Sequence, residues 1–161
     1  MTQPQSNPTA TDRWLTRIAT LGPAGLAPFA PGTWGSLAAG MLAPFLFLPL
    51  PPTLRVLALI AVLAGGTWAA GRAEVVLGRK DPGCIVIDEL LGLWVTYLPF
   101  ATLGTWGLTL GFLLFRLFDI LKPWPIKRLE RGFPGGFGVM IDDVMAGVYA
   151  AACLVIVLRL L

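Results

Sequence analysis

Residues 81–92 read DPGCIVIDELLG and place two adjacent carboxylates, Asp88 and Glu89, inside an apolar run. A charge in such a run is costly in lipid, so acidic residues there usually serve a function. Three further carboxylates lie in or at the edge of later apolar runs: Asp119, Asp142 and Asp143. We therefore expect these segments to meet at one membrane surface and to hold a metal ion against a phosphate group.

The composition is typical of a membrane protein. Of the 161 residues, 56% are hydrophobic and only 13% are charged, whereas soluble domains carry about 25% charged residues. The net charge of +3 favours anionic lipid headgroups as partners over nucleic acid, for which no binding signature is present. The chain contains no histidine, which excludes a histidine nucleophile, base or metal ligand.

The apolar pattern predicts an all-α, polytopic membrane helical bundle. We expect a disordered polar tail over residues 1–11 and one membrane-embedded domain over residues 12–161. A span needs about 20 residues, so the apolar runs predict about five apolar helices and four to five spans. These runs cover residues 37–50, 54–70, 83–100, 106–121 and 139–160. Residues 12–21 predict a short N-terminal helix, either at the membrane interface or packed as an ordinary amphipathic helix.

The charges favour five spans with a cytoplasmic N-terminus. In that topology only two cationic residues, Arg55 and Arg159, reach the far side, and all acidic residues stay on or near the cytoplasmic side. Positive residues are expected to collect on the cytoplasmic side. Ten of them do so: Arg13, Arg17, Arg72, Arg79, Lys80, Arg116, Lys122, Lys127, Arg128 and Arg131.

The segment before the first apolar run is rich in glycine and proline and ends in PGTWGS at residues 31–36. Thr33 or Ser36 is expected to cap the following helix. A glycine-rich turn at a helix N-terminus can also bind an anion through its backbone N–H groups. Capping without a ligand and anion binding both stay open at this point.

The positions of the carboxylates indicate which of them have structural roles, such as helix capping, and which are candidates for a functional role. Asp81 before Pro82 fits a helix cap, which would put Asp88 about 10 Å deeper, two turns into the helix. The alternative for Asp88 is a buried ion pair with an arginine (Arg72, Arg79 or Arg116). Glu89 would point about 100° away from Asp88, so we expect only one of the two to face the centre squarely.

Asp119 shares a helix face with Arg116 and Lys122, because the three residues are spaced by one turn. A simple ladder of alternating charges is therefore the alternative to a functional role. Asp142 and Asp143 are expected to open the last helix, where the helix dipole favours acidic residues. In the alternating topology, however, all these carboxylates reach the same end of the bundle, where they would repel one another. A hard divalent cation such as Mg²⁺ would relieve that repulsion and bind a substrate phosphate.

Four blocks of this sequence resemble the phosphatidylglycerophosphatase A family of bacteria. They are APGTWGS at residues 30–36, residues 81–92, FRLFDI with KPWPI at residues 115–126, and residues 136–147 with their two adjacent aspartates. The resemblance implies an all-helical, Mg²⁺-dependent phosphatase of the bacterial inner membrane. It would act on phosphatidylglycerophosphate at the cytoplasmic leaflet and release phosphatidylglycerol and phosphate.

With that resemblance, roles can be assigned to the candidate residues. The catalytic core is predicted to be Asp88, Asp119 and Asp143, and Glu89 and Asp142 are predicted as further metal ligands or their supports. The predicted contacts to the substrate phosphate are Arg116, Lys122, Thr33 and Ser36. The attack on phosphorus could come from water activated at the metal or from an aspartate that forms an aspartyl-phosphate.

Two other classes of function are compatible with a cluster of carboxylates in a membrane protein. A small ion transporter or channel component would also place acidic residues within the membrane, although it would spread them through the membrane depth. A non-catalytic membrane scaffold would give no reason for the acidic residues to converge.

Overall fold

The structure, a computed structural model, describes residues 8–80, 82–126, 128, 132–133 and 135–160. Asp81, Lys127 and Arg131 lie outside these residues, so the predicted Asp81 cap lies outside them too. Within the described part the chain is all-α: it contains no strand, and one 3₁₀ turn joins the first two helices. The helices are α1 (Ala10–Ala19), α2 (Pro31–Leu46), α3 (Pro52–Leu77), α4 (Ile87–Tyr97), α5 (Thr105–Leu121) and α6 (Gly136–Leu160).

Helices α2 to α6 correspond to the five predicted apolar runs, and α1 is the predicted short N-terminal helix. It begins at Ala10, two residues earlier than expected, because Thr9 and Asp12 form a capping box. Among the helices described, α3 and α6 alone are long and apolar enough to cross a membrane. Only 28% of the apolar window of α3 is buried within the molecule. Its outward residues include Leu57 and Ile60, each more than half exposed.

The centre of the bundle is the crossing of α4 and α6, which pack together more extensively than any other pair of helices. Glycines allow this close approach. A Cβ added to Gly147 would lie 2.2 Å from the carbonyl oxygen of Gly92, a distance that no side chain can occupy. The Thr96 hydroxyl of α4 also lies 3.4 Å from the carbonyl oxygen of Gly147 in α6. Small residues thus bring the two helices that carry Asp88 and Asp143 into backbone contact.

Helix α4 begins at Ile87, and the prediction that Asp88 lies two turns inside a helix is wrong. Val86 is not helical, with φ −141°, and its N–H donates to the carbonyl of Ala19 at the end of α1 at 2.8 Å. A Cβ on Gly25 would lie 2.1 Å from the carbonyl oxygen of Cys84. These contacts with the N-terminal segment hold the residues before α4 out of helical conformation, so Asp88 lies in the first helical turn.

Helix α6 begins earlier than expected, at Gly136, so the prediction that Asp142 and Asp143 form a first helical turn is also wrong. A Cβ on Gly136 would lie 2.1 Å from the carbonyl oxygen of Thr67 in α3. This glycine therefore lets the start of α6 dock on α3. The two aspartates follow nearly two turns later, where the helix dipole contributes little to their stability.

The end of the bundle opposite the carboxylates is closed by Arg55, a buried cation that is 4% exposed. Its guanidinium donates to carbonyls in the α2–α3 connection, Leu48 and Leu50, and in the α4–α5 connection, Phe100 and Ala101. One side chain therefore joins the two turns at this end.

Candidate active site

Three of the predicted carboxylates converge where α4 crosses α6. One ligand oxygen from each of Asp88, Glu89 and Asp143 lies within 4.8 Å of the other two. Asp143 is 3% exposed and Glu89 is 9% exposed. The expectation that only one of Asp88 and Glu89 faces the centre is wrong, because both residues contribute to this cluster.

The chemistry of this cluster fits a hard divalent cation. Two of its oxygens, Asp88 Oδ1 and Glu89 Oε2, are buried and have no hydrogen-bond partner among the described residues. Buried carboxylates at such distances repel each other, and unpaired buried oxygens are costly. Carboxylate oxygens are the ligands that Mg²⁺ and Ca²⁺ prefer. Asp88, Glu89 and Asp143 together could therefore hold a metal ion, although these contacts do not identify which metal.

Arg116 links α5 to the carboxylate cluster. Its Nη1 lies 2.6 Å from Asp119 Oδ2 and 3.8 Å from Glu89 Oε1, and it also approaches the Ser36 hydroxyl at 3.4 Å. The pair with Asp119 is the first half of the charge ladder considered from sequence. Arg116 thus bridges Asp119 and Glu89, and Asp119 lines the same cavity as the three clustered carboxylates.

Lys122, the other cation of that ladder, reaches toward α6. Its Nζ lies 2.5 Å from Asp142 Oδ2. The backbone of Lys122 makes this possible, since it ends α5 in the left-handed conformation with φ +42°, which is unusual for a residue other than glycine. Pro123 follows and prevents the helix from continuing. Lys122 therefore joins the end of α5 to α6 through Asp142.

A cavity of about 260 Å³ opens over the carboxylates and contains all five of the predicted acidic site residues. Two lysines also line it, Lys122 and Lys80. Sequence reasoning counted Lys80 among the cytoplasmic charges but gave it no role in the site. Its position next to Asp81-Pro82 was the available signal. The cavity thus combines clustered carboxylates with nearby cations, as a site for a metal and a phosphate requires.

The first turn of α2 approaches the site from the side, but neither predicted hydroxyl caps that helix. The helix begins at Pro31 with Ala30 as its N-cap and has no side-chain cap. Ser36 is buried and donates to the carbonyl of Gly32 at 2.8 Å, while Thr33 is exposed and is not part of the cavity lining. A Cβ on Gly32 would lie 2.1 Å from Glu89 Oε1, so this glycine allows the turn to lie against the cluster.

The ion pair considered as an alternative role for Asp88 is not present among the described residues. Arg72 instead binds Asp12 of α1, with Nη2 2.5 Å and Nε 3.1 Å from Asp12 Oδ1. Arg116 binds Asp119 as described above. This distribution of the arginines leaves Asp88 within the carboxylate cluster.

Comparison with known proteins identifies the family. A family model described as phosphatidylglycerophosphatase A matches residues 17–158. The chain is 40% identical over 132 residues to phosphatidylglycerophosphatase A of Escherichia coli, covering 81% of this chain and 75% of that protein. It is 37% identical to the protein of the same name from Haemophilus influenzae, covering 78% of this chain and 77% of that protein.

The name of a further relative refers to a different substrate. It is a Bacteroides thetaiotaomicron protein, provisionally named a phosphatidylinositol-3-phosphatase, that is 42% identical over 132 residues, covering 78% of this chain and 82% of that protein. No solved structure matches the chain. The family match covers every helix that carries a candidate site residue, from α2 to α6. The chain belongs to the phosphatidylglycerophosphatase A family and is a phosphatase enzyme.

Proposed function

We propose that this phosphatase hydrolyses phosphatidylglycerophosphate to phosphatidylglycerol and phosphate with the help of Mg²⁺. The observation that carries the proposal is the set of three carboxylates, Asp88, Glu89 and Asp143, with ligand oxygens within 4.8 Å of one another, beside Lys122 in one cavity. The names of the E. coli and H. influenzae relatives support the choice of lipid. An enzyme of this family also makes the transporter and scaffold alternatives unnecessary.

The residues of the cavity have distinct roles in this proposal. Asp88, Glu89 and Asp143 would hold the metal, with Asp119 and Asp142 as further ligands or as supports. When bound, Mg²⁺ would neutralise charge on the phosphate and polarise the reacting groups. Lys122 and Arg116 would bind the phosphate oxygens. Asp142 and Asp119, which now pair with these two cations, would release them or share them with the phosphate.

The two hydroxyls of α2 would contribute to different extents. Ser36 contacts Arg116 and would keep the guanidinium directed at the phosphate. Thr33 lies on the exposed side of the turn that approaches Glu89, and it would contact the headgroup outside the cavity. The contribution of Ser36 is expected to be the larger, because it acts through a charged group already in the site.

Two routes for phosphate release are compatible with this arrangement. A water molecule in the site could attack phosphorus, or one of the aspartates could attack it and form an aspartyl-phosphate that water then hydrolyses. Rapid quenching after mixing with substrate labelled in the terminal phosphate distinguishes them. Label that remains on the protein and is lost with hydroxylamine would indicate the aspartyl-phosphate.

We further propose that the enzyme is a multi-pass protein of the bacterial inner membrane, with four to five spans and the cavity on the cytoplasmic side. The excess of cationic residues at the carboxylate end supports this orientation. Single cysteines introduced at Arg79 and at Thr102, with both native cysteines replaced, test it. A membrane-impermeant thiol reagent applied to intact spheroplasts should label Thr102→Cys but should label Arg79→Cys only after lysis.

The decisive assay for the function is phosphate release from phosphatidylglycerophosphate in detergent micelles, with Mg²⁺ and with a chelator. Phosphatidylinositol 3-phosphate is the comparison substrate, because the Bacteroides relative carries that name. We expect release that requires Mg²⁺ and a clear preference for phosphatidylglycerophosphate. Release that continues unchanged with chelator, or a preference for the inositol lipid, would contradict the proposal.

A further inference from the structure

A second cavity, of about 390 Å³, lies between α2 and α5 on the outer surface of the bundle. It is formed because both helices pack on α4, whose Tyr97 lines the cavity between them. Its walls include Leu37, Gly40 and Met41 of α2, and Phe112 and Leu113 of α5. We refer to it as the α2–α5 groove.

Two of the three side-chain hydroxyls that line the α2–α5 groove are used internally. The Tyr97 hydroxyl donates to the carbonyl of Leu108 at 2.7 Å, and the Thr109 hydroxyl donates to the carbonyl of Thr105 at 2.9 Å. Apart from the Thr105 hydroxyl, the remaining surface is apolar, and Met41 and Leu113 are 67% and 56% exposed. Such a surface offers few hydrogen bonds to a polar ligand and is suited to an alkyl chain.

The groove adjoins the active site. Leu37 follows Ser36 directly in α2, and Leu113 lies one turn before Arg116 in α5, where Ser36 and Arg116 are in contact. From Leu37 to Pro44 the groove continues away from the site for about 10 Å along α2. A charged end proposed to bind phosphate thus lies next to an apolar path, in the same order as the headgroup and chain of a phospholipid.

We propose that the α2–α5 groove binds one acyl chain of the phospholipid substrate and thereby positions its phosphate over the carboxylates. This inference rests on the proposed function. The charge of Arg116, one helical turn beyond Leu113, and the apolar walls of the groove together favour this occupant over a second copy of the chain. Fixing the chain would align the phosphate with the site, and a misplacement of about 1 Å can cost roughly 100-fold in rate.

The test fills the groove and compares two lengths of substrate. The variant is Gly40→Phe, since Gly40 lines the groove and its Cβ would lie in ordinary contact with Leu93 at 3.4 Å and with the Tyr97 hydroxyl at 3.9 Å. Gly65→Phe is the matched control, because a Cβ there meets nothing within 4 Å. We expect Gly40→Phe to lower kcat/KM for the long-chain substrate roughly tenfold or more, and to leave the value for a water-soluble dibutanoyl analogue unchanged.

Equal effects of the two variants, or an equal loss with the short analogue, would overturn the proposal.

A second, direct measurement of lipid binding does not depend on turnover. Phosphatidylglycerophosphate with a diazirine in one acyl chain should crosslink to Met41 and Leu113, and excess unlabelled phosphatidylglycerophosphate should compete where phosphatidylcholine does not. Equal competition by both lipids would mean ordinary filling by bulk lipid. A bismaleimide that links two copies of a Met41→Cys variant, with both native cysteines replaced, would mean a dimer contact. Either result would overturn the proposal that the groove binds an acyl chain. Specific crosslinking without phosphate release would contradict the proposed function alone.

Discussion

Asp88 and Asp143 illustrate, at the scale of single residues, how a functional site can oppose stability. Their carboxylates lie close to each other and to Glu89, and Asp88 Oδ1 has no hydrogen-bond partner among the described residues. Without a cation, this arrangement is unfavourable. Natural proteins tolerate such local costs where binding or catalysis requires them.

Replacement of Asp88 or Asp143 by asparagine should therefore separate activity from stability. We expect Mg²⁺-dependent phosphate release to fall by at least about 100-fold, because a metal site supplies several kcal/mol to the transition state. The thermal midpoint without Mg²⁺ should be unchanged or higher, since one repulsive charge is lost. Activity assays and thermal unfolding in the same detergent measure both. A variant that keeps most of its activity would show that the carboxylate is not a metal ligand.

Asp12 provides a pH-dependent contribution to stability outside the active site. Its hydrogen bonds with Arg72, and then with Thr9, lower the pKa of the Asp12 carboxyl below its usual value of 3.8. The folded state therefore holds this proton less tightly than the unfolded state does. The stabilisation is complete above pH 3.8 and is lost as the pH falls through the lowered pKa of the folded state.

Asp12→Asn should accordingly unfold at a lower temperature than the wild type near neutral pH. The difference between the two proteins should shrink as the pH is lowered below about 4. Thermal unfolding followed by circular dichroism over this range is the measurement. A difference that stays constant down to about pH 2 would show that the carboxylate charge is not responsible.

At the scale of helices, the crossing of α4 and α6 determines whether the carboxylates meet. Asp143 lies one turn before Gly147, and the carbonyl of Asp143 lies against Gly92, where an added Cβ would be 2.6 Å from that oxygen. Separating the helices at either glycine would move Asp143 away from Asp88 and Glu89. The packing of small residues and the geometry of the site are therefore coupled.

Gly147→Ala tests this coupling. Its Cβ would lie 2.2 Å from the carbonyl oxygen of Gly92, and we expect overpacking to cost about 1–3 kcal/mol together with a loss of Mg²⁺-dependent activity. Gly65→Ala is the matched control, since its Cβ meets nothing within 4 Å and alanine favours a helix by up to about 1 kcal/mol. Unfolding in denaturing detergent and phosphate release measure the two effects. Equal behaviour of the two variants would contradict the role of the crossing.

At the scale of the whole molecule, the two ends of the bundle are built differently. One end collects carboxylates and cations around a cavity, whereas the other is closed by the contacts of Arg55 with four carbonyl groups. Among the described groups, this buried cation is held by backbone carbonyls and by the ring of Phe47, whose centroid lies 5.8 Å from the guanidinium carbon. We therefore expect the Arg55 end to contribute mainly to stability, whereas the proposed chemistry takes place at the carboxylate end.

Arg55→Met should therefore destabilise the protein without changing the chemistry at temperatures where it stays folded. Each carbonyl that loses its donor should cost about 1–3 kcal/mol if it stays buried. Arg55→Lys should be intermediate, because an ammonium group cannot reproduce the planar fork of guanidinium donors. Thermal unfolding and kcat at low temperature test this. A large loss of kcat in folded Arg55→Met protein would mean that the two ends are coupled.

The helix content, the grouping of carboxylates at one end and the absence of histidine chemistry followed from the sequence, because they depend on local pattern and composition. Site details depended on contacts between distant segments. The turn at Val86 is held by Ala19, and the start of α6 is docked on α3 at Gly136. These contacts shifted both helix starts and changed which carboxylates share the centre.

Amino-acid order alone determined which residues could supply a metal and phosphate site, since only certain side chains carry that chemistry. Tertiary structure decided which of them meet: Asp88, Glu89 and Asp143 form the cluster, while Asp119 pairs with Arg116 and Asp142 pairs with Lys122. It also decided that Lys80 lines the cavity and that an apolar groove adjoins it. The physical reason is that helix packing sets these distances. That packing depends on close contacts at glycines between residues that are far apart in the sequence, and no local sequence pattern predicts such contacts.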